Sequence, residues 1–356
     1  MRERIYKIKK DFIRRIKKSK VSLEDKCKYI LPIGKKAYFI GTPEYSNLGD
    51  SAIAIGQMLF LEKCGYKKNH IKEFTQSEYT NNSGFFRRYI SRQHLICGIG
   101  GGNMGNLWYN EELFRYSFID AFPNNPIIIF PQTVFFTDDE DGRKALKDSL
   151  AHYENHRNLT LVAREKKSFE TLNTLYRNPK KLLVPDIVLS TTMKDYGVCV
   201  KSRSGVLLVF RGDSEKAMTD NDRKSIKDYL EQNALSYRET DMYSDEPVTK
   251  ENRMELVRKK MQEFADAELV ITDRLHGMVF AAITETPCIV FSNNHHKVKG
   301  TYDWISNLDY IRYVDDIYEA VPFILELMKM KECKYNNKPL EEYYDNLAEE
   351  VKRYVN

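Results

Sequence analysis

The sequence predicts an α/β protein with two doubly wound parallel-sheet domains. From Lys36 onward, short runs rich in Val, Ile and Leu alternate with amphipathic helical patterns. This alternation is typical of a parallel sheet that is covered by helices on both faces. A polar, weakly periodic stretch at residues 194–204 interrupts the alternation, which then restarts. The 356 residues are enough for two domains of ordinary size, each with its own core.

The domain boundaries follow from this interruption. We expect a basic N-terminal extension over residues 1–35, a first domain over 36–193 and a second domain over 205–335. Residues 336–356 are expected to form a closing helix. Two domains of this kind place ligands between the carboxyl ends of their strands.

Each predicted strand is a short apolar run without a helical period, and each predicted helix has an apolar stripe. In the first domain the strands are expected at residues 37–40, 95–97, 127–130, 159–162 and 182–184. Its helices are expected near residues 50–64, 110–122, 138–155 and 166–176. In the second domain the strands are expected at 206–210, near Tyr237, at 269–272 and at 288–291. The helices that follow are expected at 221–234, 250–265, 276–285 and 340–354.

The composition is that of a globular protein, with 42% hydrophobic and 30% charged residues. No apolar run reaches the roughly 18 residues that a membrane-spanning helix needs. The charged N-terminus is not followed by the apolar segment of a signal peptide. The six cysteines are scattered and form no CxxC pair, which predicts reduced core thiols. We therefore expect a cytoplasmic protein without disulfides and without a metal site.

The positive charge is concentrated at one end of the chain. Residues 1–20 contain ten Lys or Arg and two acidic residues, which leaves 46 basic and 49 acidic residues for the rest. This segment is either a solvated helix that packs on the body or a peripheral contact with an anionic membrane face. Because the body is slightly acidic, nucleic-acid binding is not expected.

Three short segments are predicted to form the walls of one anion-binding cleft. Residues 49–52, 98–103 and 273–277 each place Gly or a short polar residue where a predicted strand meets a predicted helix. Backbone N–H groups at such a junction attract phosphate or carboxylate. The third segment adds a guanidinium and an imidazole, which indicates an enzyme acting on an anionic substrate.

The second segment also satisfies the pattern G-x-G-x-x-G over residues 100–105. A dinucleotide site would need an acidic residue after the next strand, but Pro131 and Gln132 stand there. Nicotinamide or flavin binding is therefore not expected. The glycines form either a tight strand-to-helix turn or a place where the backbone approaches a ligand.

Individual side chains at the strand ends are candidates for binding and catalysis. Asp50 is either a first-turn acid of a helix or a catalytic carboxylate. Arg164 follows a strand and either points into the crevice or forms an ion pair with Glu165. Arg274 and His276 project from the same side if their turn is extended, so both would reach one ligand.

Two further positions are less defined by the sequence. The run Asn293-Asn294-His295-His296-Lys297 follows a predicted strand and has no nearby carboxylate or cysteine at metal-ligand spacing. We interpret it as a mobile polar loop with a lysine that contacts an anion. Arg211 ends the first strand of the second domain and either faces the cleft or caps the linker.

Taken together and in this order, several segments resemble the polysaccharide pyruvyl transferase family. They are Gly49-Asp50, Gly100-Gly101-Gly102-Asn103, Arg164-Glu165, Pro185-Asp186 and Arg274-Leu275-His276-Gly277. The resemblance covers roughly residues 37–310 and is most specific at Arg-Leu-His-Gly. The basic extension departs from the family pattern. The resemblance implies two Rossmann-like domains around a cleft, as in the B-type glycosyltransferase fold.

The resemblance also implies a reaction. Phosphoenolpyruvate would be the donor, and a hydroxyl pair on a polysaccharide or its lipid-linked precursor would be the acceptor. The products would be a pyruvate ketal and phosphate, with no further cofactor. By position, Arg164 and Arg274 match the donor-binding arginines, His276 the catalytic histidine and Asp50 the acidic residue near the acceptor.

Other residues are expected to complete this site. Those expected to contact substrate are Leu275, Gly101, Gly102, Asn103, Asn294 and Lys297. Helix N-termini near Gly102 and Gly277 are expected to supply additional N–H donors. Two other functions stay open at this point: a nucleotide-sugar glycosyltransferase with the same cleft, and a non-catalytic saccharide-binding protein.

Overall fold

The computed structural model describes residues 23–212, 218–293 and 296–355. The basic segment at residues 1–20 lies outside these ranges, so its two interpretations remain predictions. Within the described residues the chain forms two α/β domains, each built on a parallel sheet, as the sequence predicts. In this part of the chain no helix combines the length and the apolar character that crossing a bilayer requires.

The first domain contains a seven-stranded sheet in the order β2-β1-β3-β5-β6-β7, with β4 paired to the far end of β5. Its strands are β1 (Ala37–Thr42), β2 (Ile71–Thr75), β3 (Leu95–Gly98), β4 (Gly101–Gly105), β5 (Ile127–Phe135), β6 (Leu159–Ala163) and β7 (Lys180–Leu183). Its helices are α1 (Leu23–Ile30), α2 (Leu48–Lys63), α3 (Gln76–Tyr89), α4 (Tyr109–Ala121), α5 (Glu140–Tyr153) and α6 (Lys166–Leu175). Short 3₁₀ turns follow β7 at Ile187–Ser190 and Met193–Tyr196.

The second domain contains a five-stranded sheet in the order β12-β11-β10-β8-β9. Its strands are β8 (Val206–Val209), β9 (Tyr237–Thr240), β10 (Leu269–Thr272), β11 (Cys288–Phe291) and β12 (Ile311–Val314). Its helices are α7 (Asp220–Gln232), α8 (Arg253–Ala265), α9 (Leu275–Ile283), α10 (His296–Ile305) and α11 (Ile317–Met328). The last helix of the chain is α12 (Glu341–Lys352).

Elements that the sequence pattern did not predict have weak or mixed signals. Strands β2 and β12 lie at sheet edges and keep partly exposed side chains, so neither reads as a continuous apolar run. Strand β4 consists largely of glycine, which has low strand propensity, and it forms only by pairing with β5. Strand β5 runs through Pro131, where the pairing register with β6 shifts, and this irregularity accommodates a residue without an N–H.

The strand order in each sheet fixes where a ligand can bind. In the first sheet, β2 and β3 lie on opposite sides of β1. In the second sheet, β9 and β10 lie on opposite sides of β8 in the same way. The crevice at the carboxyl ends of such flanked strands is the usual ligand site of doubly wound sheets. Both crevices open toward the boundary between the domains.

Backbone and charged contacts hold the two domains together at this boundary. Leu48 N–H donates to the Met242 carbonyl at 2.8 Å, and Ser244 N–H donates to the Ser46 carbonyl at 2.9 Å. In addition, the buried Arg253 of α8 contacts the first domain, where its Nη1 pairs with Glu73 Oε1 at 2.6 Å. The loops that follow β1 and β9 are therefore fixed relative to each other.

The final helix returns to the first domain. The Tyr344 hydroxyl of α12 donates to the Asp186 carbonyl at 2.8 Å, and Tyr354 Oη lies 3.2 Å from Asn158 Oδ1. Glu350 is buried and pairs with Lys180 at the start of β7. The segment after β12 thus ties the second domain back onto the first.

We expect Arg253→Met to lower the free energy of unfolding by about 3 kcal/mol, because it leaves Glu73 without its buried partner. Arg258→Met on the same helix is the matched control. Arg258 pairs with Glu255 on the surface, so its loss should cost roughly 0–1 kcal/mol. Urea unfolding of both variants measures the difference, and equal losses would contradict a stabilising role for the Arg253 contact.

Candidate functional site

A cavity of about 430 Å³ lies between the domains at the carboxyl ends of both sheets. Its deep part is cationic, because Arg164, Arg211, Arg274 and Lys297 all line it and all are at least nine-tenths buried. His276 lines the same part. The volume is in the usual range for small-molecule sites.

Arg164 follows β6 and is oriented by three contacts. Its Nε donates to Thr133 Oγ1 at 2.8 Å, and its Nη1 pairs with Asp186 Oδ2 at 2.9 Å. A Cβ atom added at Gly102 would lie 2.7 Å from Arg164 Nη2, so glycine is required for this close approach. The third nitrogen of the guanidinium therefore lies against the glycine that lines the cavity.

Arg164 does not pair with Glu165, the alternative that the sequence left open. Glu165 is buried and caps helix α6 by accepting the Ser168 N–H at 3.2 Å. It also accepts from Thr133 at 3.1 Å and lies 3.2 Å from His296 Nε2. Arg164 is thus fixed by Asp186 and Thr133 rather than neutralised by its neighbour in sequence.

Arg274 and His276 lie together, but not in the extended turn that the sequence predicted. Arg274 is the N-cap of α9, and His276 is in the first turn of that helix because Leu275 already has helical geometry. Arg274 Nη2 pairs with Asp241 Oδ1 at 2.5 Å, and its guanidinium lies 5.1 Å from the ring centre of Tyr243. Both residues line the cavity through the helix N-terminus instead of through strand alternation.

Asp186 lies close to site residues from both domains, although the sequence analysis did not predict it as a site residue. Its Oδ2 is 2.9 Å from Arg164 Nη1 and 3.6 Å from His276 Nε2, and its Oδ1 accepts the Val188 N–H at 3.1 Å. Burial alone would raise the pKa of Asp186, but the imidazole, the guanidinium and this N–H hold it well below its usual value. The carboxylate therefore stays charged at neutral and mildly acidic pH.

The position of Asp186 carried a signal that could have identified it. Pro185-Asp186 follows β7 after one residue, and β7 is a strand that the sequence predicts. The argument that placed Arg164 at a strand's carboxyl end applies equally to this carboxylate.

The loop after β1 brings Asp50 to the cavity and leaves room for His276. Asn47, not Asp50, caps α2, since its Oδ1 accepts the Gly49 N–H at 2.9 Å. Asp50 occupies the first turn, is partly exposed and lines the cavity. A Cβ added at Gly49 would lie 2.5 Å from His276 Nδ1, so the imidazole packs directly on this glycine.

The glycine-rich segment forms a strand, so of the two alternatives the tight strand-to-helix turn is wrong. Residues 101–105 pair with β5, and α4 begins only at Tyr109. The segment at Gly102 therefore does not itself lead into a helix, in contrast to the expectation. Gly102 and Asn103 line the cavity, whereas Gly101 is buried beside Ile53 and is not part of the lining.

The remaining residues that the sequence predicted for the site differ in whether they line the cavity. Lys297 lies in helix α10 rather than in a mobile loop, and it lines the cavity, as do Leu275 and Arg211. Asn294 lies outside the described residues. The Arg211 N–H donates to Asp273 Oδ1 at 2.8 Å, which fixes the end of β8 at the cleft.

Within the described ranges, no three His, Cys, Asp or Glu side chains are grouped as metal ligands. The described polar groups of the cavity are instead guanidinium, ammonium, imidazole, amide, carboxylate, phenol and indole groups. Such a set suits binding of an anion and transfer of protons.

Comparisons with known proteins agree with this geometry. The pattern of the polysaccharide pyruvyl transferase family matches residues 47–295. General stress protein 30 of Bacillus subtilis (strain 168) is 32% identical over 305 residues, which cover 83% of this chain and 86% of that protein. Pyruvyl transferase 1 of Schizosaccharomyces pombe is 27% identical over 311 residues, which cover 82% and 76% of the two chains.

Solved structures show the same fold. The UDP-GlcNAc 2-epimerase of Methanocaldococcus jannaschii superposes with a TM-score of 0.52 at 13% identity, covering 90% of this chain and all of that one. The two-domain architecture is therefore that of the B-type glycosyltransferases and related epimerases. The family match spans both domains and includes Asp50, Arg164, Asp186, Arg274 and His276, and the chain belongs to the polysaccharide pyruvyl transferase family.

Proposed function

We propose that this protein transfers pyruvate from phosphoenolpyruvate to two hydroxyl groups of a saccharide, forming a cyclic ketal and releasing phosphate. The observation that carries the proposal is the meeting of two buried guanidinium groups and one imidazole in a single cavity. Arg164 comes from the first domain, and Arg274 and His276 come from the second. Family membership supports a saccharide acceptor.

The cationic part of the cavity suits the donor. Phosphoenolpyruvate carries a carboxylate and a phosphate on three carbon atoms, so two cationic holders are needed at short separation. Arg164 and Arg274 line one cavity and are proposed as these two holders, and Arg211 and Lys297 line the same cavity. The N-terminus of α9 at Leu275 adds backbone N–H groups and a positive dipole end, both of which favour phosphate.

The chemistry requires proton transfers that the side chains of the cavity can perform. A proton is added to the methylene carbon of the enol, which leaves an oxocarbenium-like centre at C2. One sugar hydroxyl forms a C–O bond to C2 and loses its proton. The C2–O bond to phosphate then breaks, and the second hydroxyl closes the ring as its proton passes to the departing phosphate. His276 and Asp50 are the groups that exchange these protons.

Asp186 is a positioning residue in this scheme. Its side chain is 1% exposed, so it contacts His276 and Arg164 from behind the cavity and not the substrate itself. A charged carboxylate beside an imidazole fixes the orientation of the ring. The same carboxylate holds the Arg164 guanidinium, so one group aligns donor binding and proton transfer.

The acceptor is proposed to be a polysaccharide or its lipid-linked precursor. The basic segment at residues 1–20 supports the lipid-linked form, because a cluster of Lys and Arg is attracted to an anionic membrane face. Such a contact would place the protein at the inner membrane face.

The direct test of the proposal is the product. Incubation with phosphoenolpyruvate and candidate acceptors should release inorganic phosphate and add one pyruvate less one water to the saccharide. Phosphate assay and mass spectrometry measure the two products. Release of a nucleotide from sugar nucleotides, with phosphoenolpyruvate unconsumed, would instead indicate a glycosyltransferase.

We expect His276→Ala to reduce turnover by about 100- to 10,000-fold, the range that acid–base assistance usually supplies. The control is His152→Ala, which removes a histidine paired with Asp120 at 2.9 Å outside the cavity. Initial rates at saturating donor should be near wild type for this control. A near-normal rate for His276→Ala across neutral pH would remove the imidazole from the mechanism.

We expect Gly102→Ala to raise the KM for phosphoenolpyruvate by about tenfold to a hundredfold, the loss of one charged hydrogen bond. The added methyl group displaces Arg164 Nη2, which lies 2.7 Å from its position. Gly84→Ala is the control, because a Cβ there meets nothing within 4 Å. Steady-state kinetics compare both with wild type, and an unchanged KM for Gly102→Ala would show that Arg164 does not bind the donor.

A further inference from the structure

The cavity has a second wall whose character is opposite to that of the cationic part. Tyr45 and Trp108 line it and are 47% and 51% exposed. Two carboxylates, Asp50 and Glu111, lie on the same wall and are only partly buried. The cavity therefore changes from buried and cationic to accessible, aromatic and acidic.

Folding does not explain the position of Trp108. It is the N-cap of α4 and makes no side-chain hydrogen bond to the helix. Ser, Thr, Asp or Asn at an N-cap is usually worth about 1 kcal/mol over residues that cannot accept such a bond. Trp108 has neither this advantage nor the benefit of full burial, and the adjacent Leu107 is also exposed.

The two carboxylates are close enough to influence each other. Desolvation and the negative charge of Asp50 raise the pKa of Glu111, although Arg115 opposes the shift. Desolvation, together with the negative charges of Asp50 and Glu111, raises the pKa of the Tyr45 hydroxyl well above its usual value. The wall therefore presents hydrogen-bond acceptors, and its phenol stays neutral.

Tyr243 marks the boundary between the two parts. One face of its ring lies against the Arg274 guanidinium at 5.1 Å, and Tyr243 forms a β-bridge with Asn47. Tyr243 therefore contacts the arginine with its ring and pairs with the segment between Tyr45 and Asp50 through its backbone. A ligand in the cationic part and a ligand on the acidic wall would be neighbours in one cavity.

We propose that Tyr45, Asp50, Trp108 and Glu111 form the acceptor subsite and that the sugar unit bound there is uncharged. This inference rests on the proposed function. An aromatic face packs against the C–H face of a sugar ring, and carboxylates accept hydrogen bonds from its hydroxyl groups. A sugar that carries its own carboxylate meets Asp50 and Glu111 as like charges, and such contacts act against binding.

The chain contains two tryptophans, which provides a direct measurement. Trp108 lines the cavity, whereas Trp304 does not line it and donates from Nε1 to the Arg164 carbonyl at 2.8 Å. We would titrate the full-length protein with the methyl β-glycosides of glucose and galactose, without phosphoenolpyruvate. The matched methyl glycosides of glucuronic and galacturonic acid form the charged series.

A neutral glycoside should change the tryptophan emission and protect it from acrylamide quenching. Trp108→Phe should abolish this response, and Trp304→Phe should retain it. The uronides should bind at least roughly tenfold more weakly than their neutral partners, and Glu111→Gln should reduce that difference. Trp108→Phe should also raise the KM for a working acceptor without changing the KM for phosphoenolpyruvate.

Two results would overturn the subsite: an unchanged sugar response in Trp108→Phe, or no response of the wild-type protein to any neutral glycoside. Equal affinity for neutral and charged glycosides would overturn the inference that the sugar is uncharged. The proposed function fails separately, through the absence of phosphate release. Neutral sugar binding at Trp108 without phosphate release would retain the subsite and reject the transferase.

Discussion

The site depends on one buried carboxylate at the boundary between the domains. Asp186 pairs with Arg164 from its own domain and approaches His276 from the other. A charge in a dry environment is stable only with such partners, so the carboxylate constrains both cationic groups at once. Because its carbonyl also accepts from Tyr344 of the closing helix, domain docking and site assembly share one residue.

Two glycines, one in the first turn of α2 and one near the start of β4, make this arrangement sterically possible. Gly49 admits the His276 ring, and Gly102 admits the Arg164 guanidinium, at separations that no Cβ would allow. These residues therefore do not form the glycine-rich turn into a helix that is typical of a phosphate loop. They allow a backbone and a bulky side chain to approach closely, which brings His276 and Arg164 against the cavity wall.

The cationic side chains and the aromatic side chains lie at different depths of the cavity. Its cationic side chains, such as Arg164 and Arg274, are buried, while Trp108 and Tyr45 remain accessible. Burial strengthens the attraction between a guanidinium and an anionic donor. An accessible aromatic and acidic wall suits a larger, neutral molecule such as a sugar unit.

The alternation of apolar strands and amphipathic helices determined the fold class and most elements, because periodicity is a local property of the sequence. The same pattern placed Arg164, Arg274 and His276 at strand ends. The sequence could not define β4, whose glycines form a strand only through pairing with β5. The sequence also could not show that Asp186 contacts His276. These two residues are 90 positions apart in the chain and come together only when the two domains pack against each other. Side-chain partners across a domain boundary depend on tertiary packing, and no local pattern in the chain records them.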